Sequence, residues 1–208
     1  MFTKKIIVTM IALGFTLIPS ITWSAANPFL DVPAGHWAYK FVANLVQKGI
    51  IEGYGDNSFR GDRNITRYEA ATILAKCLKE NLNLKQDKTL PFSDVSNKHW
   101  SYRSVKISFE NEIIKGYDDN TFRGDRYITR YEMAQMLANF LKLDFKLSQK
   151  TSSTFSDVPE NHWCNNAVAL LSSEGITQGY GDNTFRGDRN ISRYEVAVMI
   201  AKAMVSRQ

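Results

Sequence analysis

A period of 63 residues dominates this chain. Trp37, Trp100 and Trp163 stand 63 residues apart, as do Asp31, Asp94 and Asp157, and as do Tyr68, Tyr131 and Tyr194. One copy runs GYGDNSFRGDRNITRYE from Gly53 to Glu69, the next GYDDNTFRGDRYITRYE from Gly116 to Glu132, and the third GYGDNTFRGDRNISRYE from Gly179 to Glu195. Thirteen of these 17 positions agree in all three copies, which rules out coincidence. Self-similarity at a fixed spacing marks a repeat architecture, in which one unit cannot bury its apolar face alone and does so against its neighbours. The chain therefore divides into a leader, residues 1–26, and three units, 27–82, 90–145 and 153–208. The polar segments Glu80–Leu90 and Lys142–Thr154 read as connectors.

Each unit opens with an F-x-D-V-x-x-x-H-W stretch: Phe29 to Trp37, Phe92 to Trp100, Phe155 to Trp163. A helix is expected next, because Trp37, Phe41, Val42, Leu45 and Val46 fall at helical spacing. Gly49 and Gly175 suit the left-handed residue just past the helix end, and Asn111 is assigned that position in the second unit. A loop dense in Gly, Asp and Asn follows and turns tightly, pinned by Tyr54, Phe59 and their equivalents. The second helix starts with a capping box, Thr66 with Glu69, then Thr129 with Glu132 and Ser192 with Glu195. Behind each cap runs an i, i+3, i+4, i+7, i+8 apolar stripe: Ala70, Ile73, Leu74, Cys77 and Leu78 in the first copy, from Met133 to Leu141 and from Val196 to Met204 in the others. A second row, Ala71, Ala134 and Ala197 with Ala75, Ala138 and Ala201, allows helices to approach closely. The fold expected is mainly α: three helix–loop–helix repeats in a pseudo-threefold arrangement around a central helix bundle.

The leader has Lys4 and Lys5, an apolar run from about Ile6 to Ile18, and small residues at Ser24-Ala25-Ala26, the layout of a secretory signal peptide cleaved near Asn27. The run is shorter than the ~18–20 residues a spanning helix needs, and no later segment is apolar enough to span a bilayer as a helix. An exported protein of the cell envelope follows. Formal net charge is +5, of which the leader supplies two, and the remaining +3 is too small and too evenly spread to argue for nucleic acid.

The opening F-x-D-V…H-W, the G-Y-x-D-N-x-F loop and the closing I-T-R-Y-E resemble the S-layer homology (SLH) module, whose closing motif more often reads I-T-R-A-E. The resemblance covers Phe29 to about Met204. It implies a three-pronged helical body that holds exported proteins non-covalently to the cell wall, with no cofactor, through grooves between adjacent repeats. The ligand implied is a cell-wall polysaccharide or peptidoglycan, with an envelope protein as a further partner. By matching position the resemblance places Arg67, Arg130 and Arg193 against the ligand's acidic group. It places Asp31, Asp94 and Asp157, Trp37, Trp100 and Trp163, and Gly53, Gly116 and Gly179 at or beside the groove. The physics agrees, because an arginine in a helix's first turn stands beside amides that attract anions and its planar fork suits a carboxylate. On this reading, alanine at all three arginines abolishes wall binding and leaves the helices intact.

Two departures matter. Tyr68, Tyr131 and Tyr194 stand where alanine is commoner, and the loop ends F-R-G-D-R where many members have a proline. The T-R-Y-E form resembles the modules of bacteria with two membranes, where a periplasmic tether between outer membrane and peptidoglycan is implied. A diamine-modified peptidoglycan would need acidic partners, for which Asp56, Asp119 and Asp182 are candidates.

Several residues carry two readings. The arginines are either ligand contacts or ion-pair partners of Asp31 or Glu69. The tryptophans are either groove walls or core. His36, His99 and His162 make either local hydrogen bonds or, less simply, a metal site on the axis. The Asp/Asn-rich loop fails the EF-hand spacing, because Arg60 and Arg67 occupy ligand positions. Cys77 and Cys164 are either free buried thiols or a disulfide. No nucleophile–base–orienter set stands out, and a catalytic site would not ordinarily recur three times, so a binding protein is expected and not an enzyme. The rival is a self-assembling surface-layer subunit.

Overall fold

A computed structural model describes residues 29–78, 89–142 and 152–206. The leader and most of both connectors lie outside these residues. Six helices follow in chain order: α1 (Tyr39–Gln47), α2 (Arg67–Cys77), α3 (Tyr102–Glu110), α4 (Arg130–Lys142), α5 (Asn165–Ser173) and α6 (Arg193–Val205). Among the described residues there is no strand, and the mainly α expectation holds.

The helices pair between repeats. α2 packs on α3, α4 on α5, and α6 returns to pack on α1, while α4 also touches α2 and α6. Each pair thus joins the second helix of one unit to the first helix of the next, and the chain closes into a ring. Three backbone hydrogen bonds seal its axis: the Ile128 amide donates to the Ile65 carbonyl (3.0 Å), Ile191 to Ile128 (3.1 Å), and Ile65 to Ile191 (3.3 Å). All three isoleucines are fully buried. A closed cycle of this kind leaves no repeat as an end, so no terminal unit exposes the apolar face that its neighbours cover.

The three expected capping boxes are present. The Glu69 amide donates to Thr66 Oγ1 (3.3 Å) and the Thr66 amide to Glu69 Oε2 (2.8 Å), with the same exchange at Thr129–Glu132 and Ser192–Glu195. The stripe behind each cap is buried, from Ala70 and Leu74 through Met133 and Leu137 to Val196 and Ile200, except for the half-buried Leu78. Burying side chains of this size contributes roughly 1.5–3 kcal/mol each.

Two expectations about the first helices fail. Trp37 precedes α1 and is 58% exposed, with Trp100 and Trp163 alike, so the core reading of the tryptophans falls. The left-handed stop in the second unit is Glu112, with φ 58°, and not Asn111, which keeps φ −95° as the C-cap. The register explains it: Glu112 is 63 residues after Gly49, whose φ is 66°. Asn111 instead turns its side-chain amide back to the Ile107 carbonyl (2.8 Å). A left-handed glutamate is strained where glycine is not, so Glu112→Gly is expected to stabilise the protein by about 1 kcal/mol. A rise in Tm of about 2–4 °C in thermal melts followed by circular dichroism would register it. No rise would show that the loop relieves the strain by another route.

Candidate functional site

The repeated arginines reach across into the next unit. Arg67 is 6% exposed; its Nε donates to the Phe122 carbonyl (2.9 Å), its Nη2 to the Lys115 carbonyl (3.0 Å) and its Nη1 to Glu132 (3.3 Å). Arg130 repeats this on the third unit, bonding the Gln178 carbonyl (2.7 Å), Thr177 (3.0 Å) and Glu195 (3.3 Å). Arg193 closes the cycle on the carbonyl of Glu52. Each guanidinium lies over a buried phenylalanine, Phe122, Phe185 or Phe59, at 4.4–4.7 Å. Burial pushes the pKa of all three below the ordinary arginine value, opposed by a nearby tyrosine and glutamate. Arg67 and Arg130 do pair with carboxylates, but with Glu132 and Glu195 of the neighbouring unit rather than with those of their own. The first-turn amides beside them are occupied too: the Arg67 and Tyr68 amides donate to the Arg126 (3.0 Å) and Gly124 (2.9 Å) carbonyls. The helix N-terminus is therefore a joint between repeats and not an open anion site.

Each motif glutamate pairs with an arginine of its own loop, and two of the three pair with a second from the preceding unit. Glu132 meets Arg67 from the preceding unit and Arg126 of its own loop, Glu195 meets Arg130 and Arg189 in the same way, and Glu69 pairs with Arg63. Burial alone would raise these carboxyls. The arginine and capping-amide hydrogen bonds outweigh it, so all three lie below the ordinary value of 4.5. A folded pKa below the unfolded one contributes stability that is present above the unfolded value and lost as pH falls through the folded one. The Tm is expected to hold between about pH 5 and 7 and to fall steadily toward about pH 3. A flat profile down to that pH would remove the Arg–Glu–Arg sets from any account of stability.

The opening aspartates shape the loops. Asp31 accepts the Phe59 and Arg60 amides, one on each oxygen at 2.7 Å, and Asp94 and Asp157 do the same for Phe122–Arg123 and Phe185–Arg186. Arg60, Arg123 and Arg186 are left-handed, at φ 53–54°, and the two charge-assisted bonds offset that strain. Asp56, Asp119 and Asp182 are each bonded to their own Ser or Thr and to Arg60, Arg123 or Arg186 at 2.8–2.9 Å. Those contacts, the hydroxyl first, hold Asp119 and Asp182 at about 2. A diamine would have to displace an arginine from each.

Tyr68, Tyr131 and Tyr194 interlock the units. Each is 3% exposed, and its hydroxyl donates to the carbonyl of Asp94, Asp157 or Asp31 in the next unit (2.9–3.3 Å). His99, His162 and His36 face these rings at 4.2–4.3 Å between centroids. The Nδ1 of each histidine accepts the amide two residues on (3.2–3.4 Å), the local role expected. Among the described residues no cluster of His, Cys, Asp or Glu could hold a metal. Cys77 and Cys164 are both buried; Cys164 Sγ donates to the Tyr131 carbonyl (3.2 Å), and burial pushes its thiol up to about 12.

One groove collects candidates from all three units. Arg67 of the first, Gly116 and Tyr117 of the second and Trp163 of the third line a cavity of about 520 Å³. Its floor and walls come from α4, through Gln135, Met136 and Asn139, and from the stretch Ile113 to Lys115. The groove lies between units, as the resemblance implies, and brings together an Arg, a Gly and a Trp from three different repeats. Gly116 is required where it lies, because a Cβ there would meet the Phe92 ring at 2.2 Å. Arg67, Lys115 and the flanking Arg126 face Glu132, which leaves two positive charges in excess. Tyr117 was legible in the repeated loop motif. Lys115, Gln135 and Asn139 were not, since their counterparts are Glu52, Thr72 and Lys76 in the first unit and Gln178, Val198 and Lys202 in the third.

A closed ring of tandem helical repeats, with a solvent-open groove walled by three successive units, defines a repeat-built binding scaffold. The chain belongs to the S-layer homology domain family, whose model matches residues 28–71, 91–134 and 154–197. It is 34% identical over 157 residues to the "Cellulosome-anchoring protein" of Acetivibrio thermocellus, covering 74% of this chain and 35% of that protein. It is 32% identical over 200 residues to the "S-layer protein sap" of Bacillus anthracis, covering 96% of this chain and 24% of that one. A shorter stretch of 77 residues, 37% of this chain and 8% of the relative, is 46% identical to the "Outer membrane protein SlpA" of Thermus thermophilus. The chain thus spans about a third or less of each relative's length. Among the described residues no helix is long and apolar enough to cross a membrane.

Proposed function

We propose that this chain binds the bacterial cell wall non-covalently and acts as an envelope anchor or tether, with peptidoglycan or a peptidoglycan-linked polysaccharide as ligand and no reaction of its own. The observation that carries the reading is the cationic groove, open to solvent and walled by an exposed tryptophan. Trp163 is 60% exposed beside Arg67 and Gly116, and an exposed indole face in a concave site suits a sugar ring. Relatives named as anchoring, S-layer and outer membrane proteins support the same reading and an envelope location. Trp37 and Trp100, with Arg130 and Arg193 and with Gly179 and Gly53, are the symmetric counterparts proposed for the other two grooves. Several weak sites on one polymer would raise affinity through effective concentration.

The test is co-sedimentation with purified peptidoglycan sacculi, before and after acid stripping of the secondary polymer. Binding lost on stripping assigns the polymer as ligand. Binding kept assigns peptidoglycan itself and supports the outer-membrane tether. No sedimentation with either preparation refutes wall binding. The S-layer relatives favour a second reading, a self-assembling surface-layer subunit, which requires concentration-dependent oligomers in the absence of wall material.

A further inference from the structure

The three grooves share one motif but differ at a pair of floor positions. In the groove at Trp163 these are Lys115 and Asn139. Their counterparts 63 residues earlier, in the groove at Trp100, are Glu52 and Lys76, and these two are joined by an ion pair at 2.6 Å. Asn139 is held instead by the Ile113 carbonyl (3.2 Å) and by Gln135 (2.8 Å), and Lys115 is exposed. In the groove at Trp37 the positions are Gln178 and Lys202, and Lys202 Nζ donates to the Gly175 carbonyl (3.1 Å).

We infer that the grooves are not equivalent: the one at Trp163 takes wall glycan ahead of the one at Trp100, which the Lys76–Glu52 pair holds back. The inference rests on the wall-binding reading above. Two effects point the same way. A ligand entering between Glu52 and Lys76 must part them, whereas nothing ties Lys115 to Asn139. Glu52 also puts a carboxylate where Lys115 puts an ammonium, so the groove at Trp100 has one positive charge in excess where that at Trp163 has two. The pair is exposed, 39% at Lys76 and 75% at Glu52, so water screens it. Parting it weakens binding by about fivefold at most. The expected result is an order of filling and not a blocked site.

The tryptophans report the grooves one by one. The chain has four, Trp23 in the leader and one at each groove, so a ¹⁵N-labelled sample of the chain after cleavage near Asn27 gives one indole N–H signal per groove. The probe is the soluble glycan–peptide fraction released by muramidase from sacculi that retain their secondary polymer. The Trp163 signal is expected to reach its midpoint at a concentration about threefold to fivefold below that of Trp100. Glu52→Lys with Lys76→Asn writes the Trp163 floor into the Trp100 groove. Both positions are solvent-facing, so the fold tolerates the change, and the Trp100 midpoint is expected to move to within about twofold of Trp163. Trp100 titrating with or before Trp163 in the unaltered chain overturns the inference, as does a Trp100 midpoint that the double substitution leaves in place. Sedimentation with sacculi without movement of any groove indole also overturns it, and leaves wall binding standing by another surface. Neither sedimentation nor movement sinks both readings.

Discussion

Truncating Tyr131 to alanine is expected to cost about 3–5 kcal/mol of folding stability, the range for removing a buried aromatic ring. The ring is 3% exposed, lies 5.5 Å from Phe185 and 4.3 Å from His162, and its hydroxyl donates to the Asp157 carbonyl at 2.9 Å. That hydroxyl is pushed up to about 12, burial first and Asp157 second, so it stays a donor throughout the neutral range. The partner that makes room for it is Gly187, where a Cβ would come within 2.2 Å of the ring. Gly187→Ala should therefore destabilise as well, since the atom it meets is the body of a fixed ring and not the end of a flexible chain. Combined, the two substitutions should cost clearly less than their sum, because alanine at position 131 vacates the space that alanine at 187 needs. Urea unfolding of the two single variants and the double variant measures this coupling. Strict additivity would mean that ring and glycine do not constrain each other.

The same contact explains the two departures from the commoner family pattern. Tyr68 sits on Gly124 and Tyr194 on Gly61 as Tyr131 sits on Gly187. The tyrosine of I-T-R-Y-E and the glycine of F-R-G-D-R are thus one feature seen from two repeats, a ring and its socket. Read along the chain they look like unrelated substitutions, because ring and socket lie in different units. The features legible beforehand were local: the capping boxes, the apolar stripes and the Gly49 and Gly175 stops each depend on residues a few positions apart. What the chain does not display is which helix pairs with which. α2 meets α3 across a connector rather than α1 across the loop, and this decides which unit's Trp, Gly and Arg share a groove. The alternative that put the tryptophans in the core failed for a related reason. Helical spacing from Trp37 to Val46 is real, but the helix begins at Tyr39 and leaves the indole outside. The aspartates were drawn to the groove by the family resemblance, while their short bonds to Phe59–Arg60, Phe122–Arg123 and Phe185–Arg186 bind each to its own loop.

Arg67→Ala is expected to destabilise the protein by about 3 kcal/mol, as breaking a buried, hydrogen-bonded charge pair does. Two carbonyls, those of Phe122 and Lys115, lose a charged donor, and the space above the Phe122 ring empties. Glu132 keeps Arg126, which places the cost toward the lower end of the range. Lysine is no substitute, since a point charge cannot serve three acceptors set out for a planar fork. Alanine at Arg67, Arg130 and Arg193 together would remove about 9 kcal/mol from a protein whose whole stability is of order 5–15 kcal/mol. The triple variant is therefore expected to lose much of its helical signal, contrary to what the motif alone suggests, and its failure to bind walls would say nothing about ligand contact. The single variant separates the two roles. If Arg67→Ala melts at lower urea but, while folded, still sediments with sacculi, the arginine is a joint between repeats. If it keeps wild-type stability and loses the wall, the guanidinium is a ligand contact and its buried bonds are dispensable. The groove itself is better probed at Trp163, whose exposed ring can be cut back without opening the core. Trp163→Ala should leave the unfolding free energy from urea titration within about 0.5 kcal/mol of wild type while weakening wall binding, and unchanged binding would move the ligand to another surface.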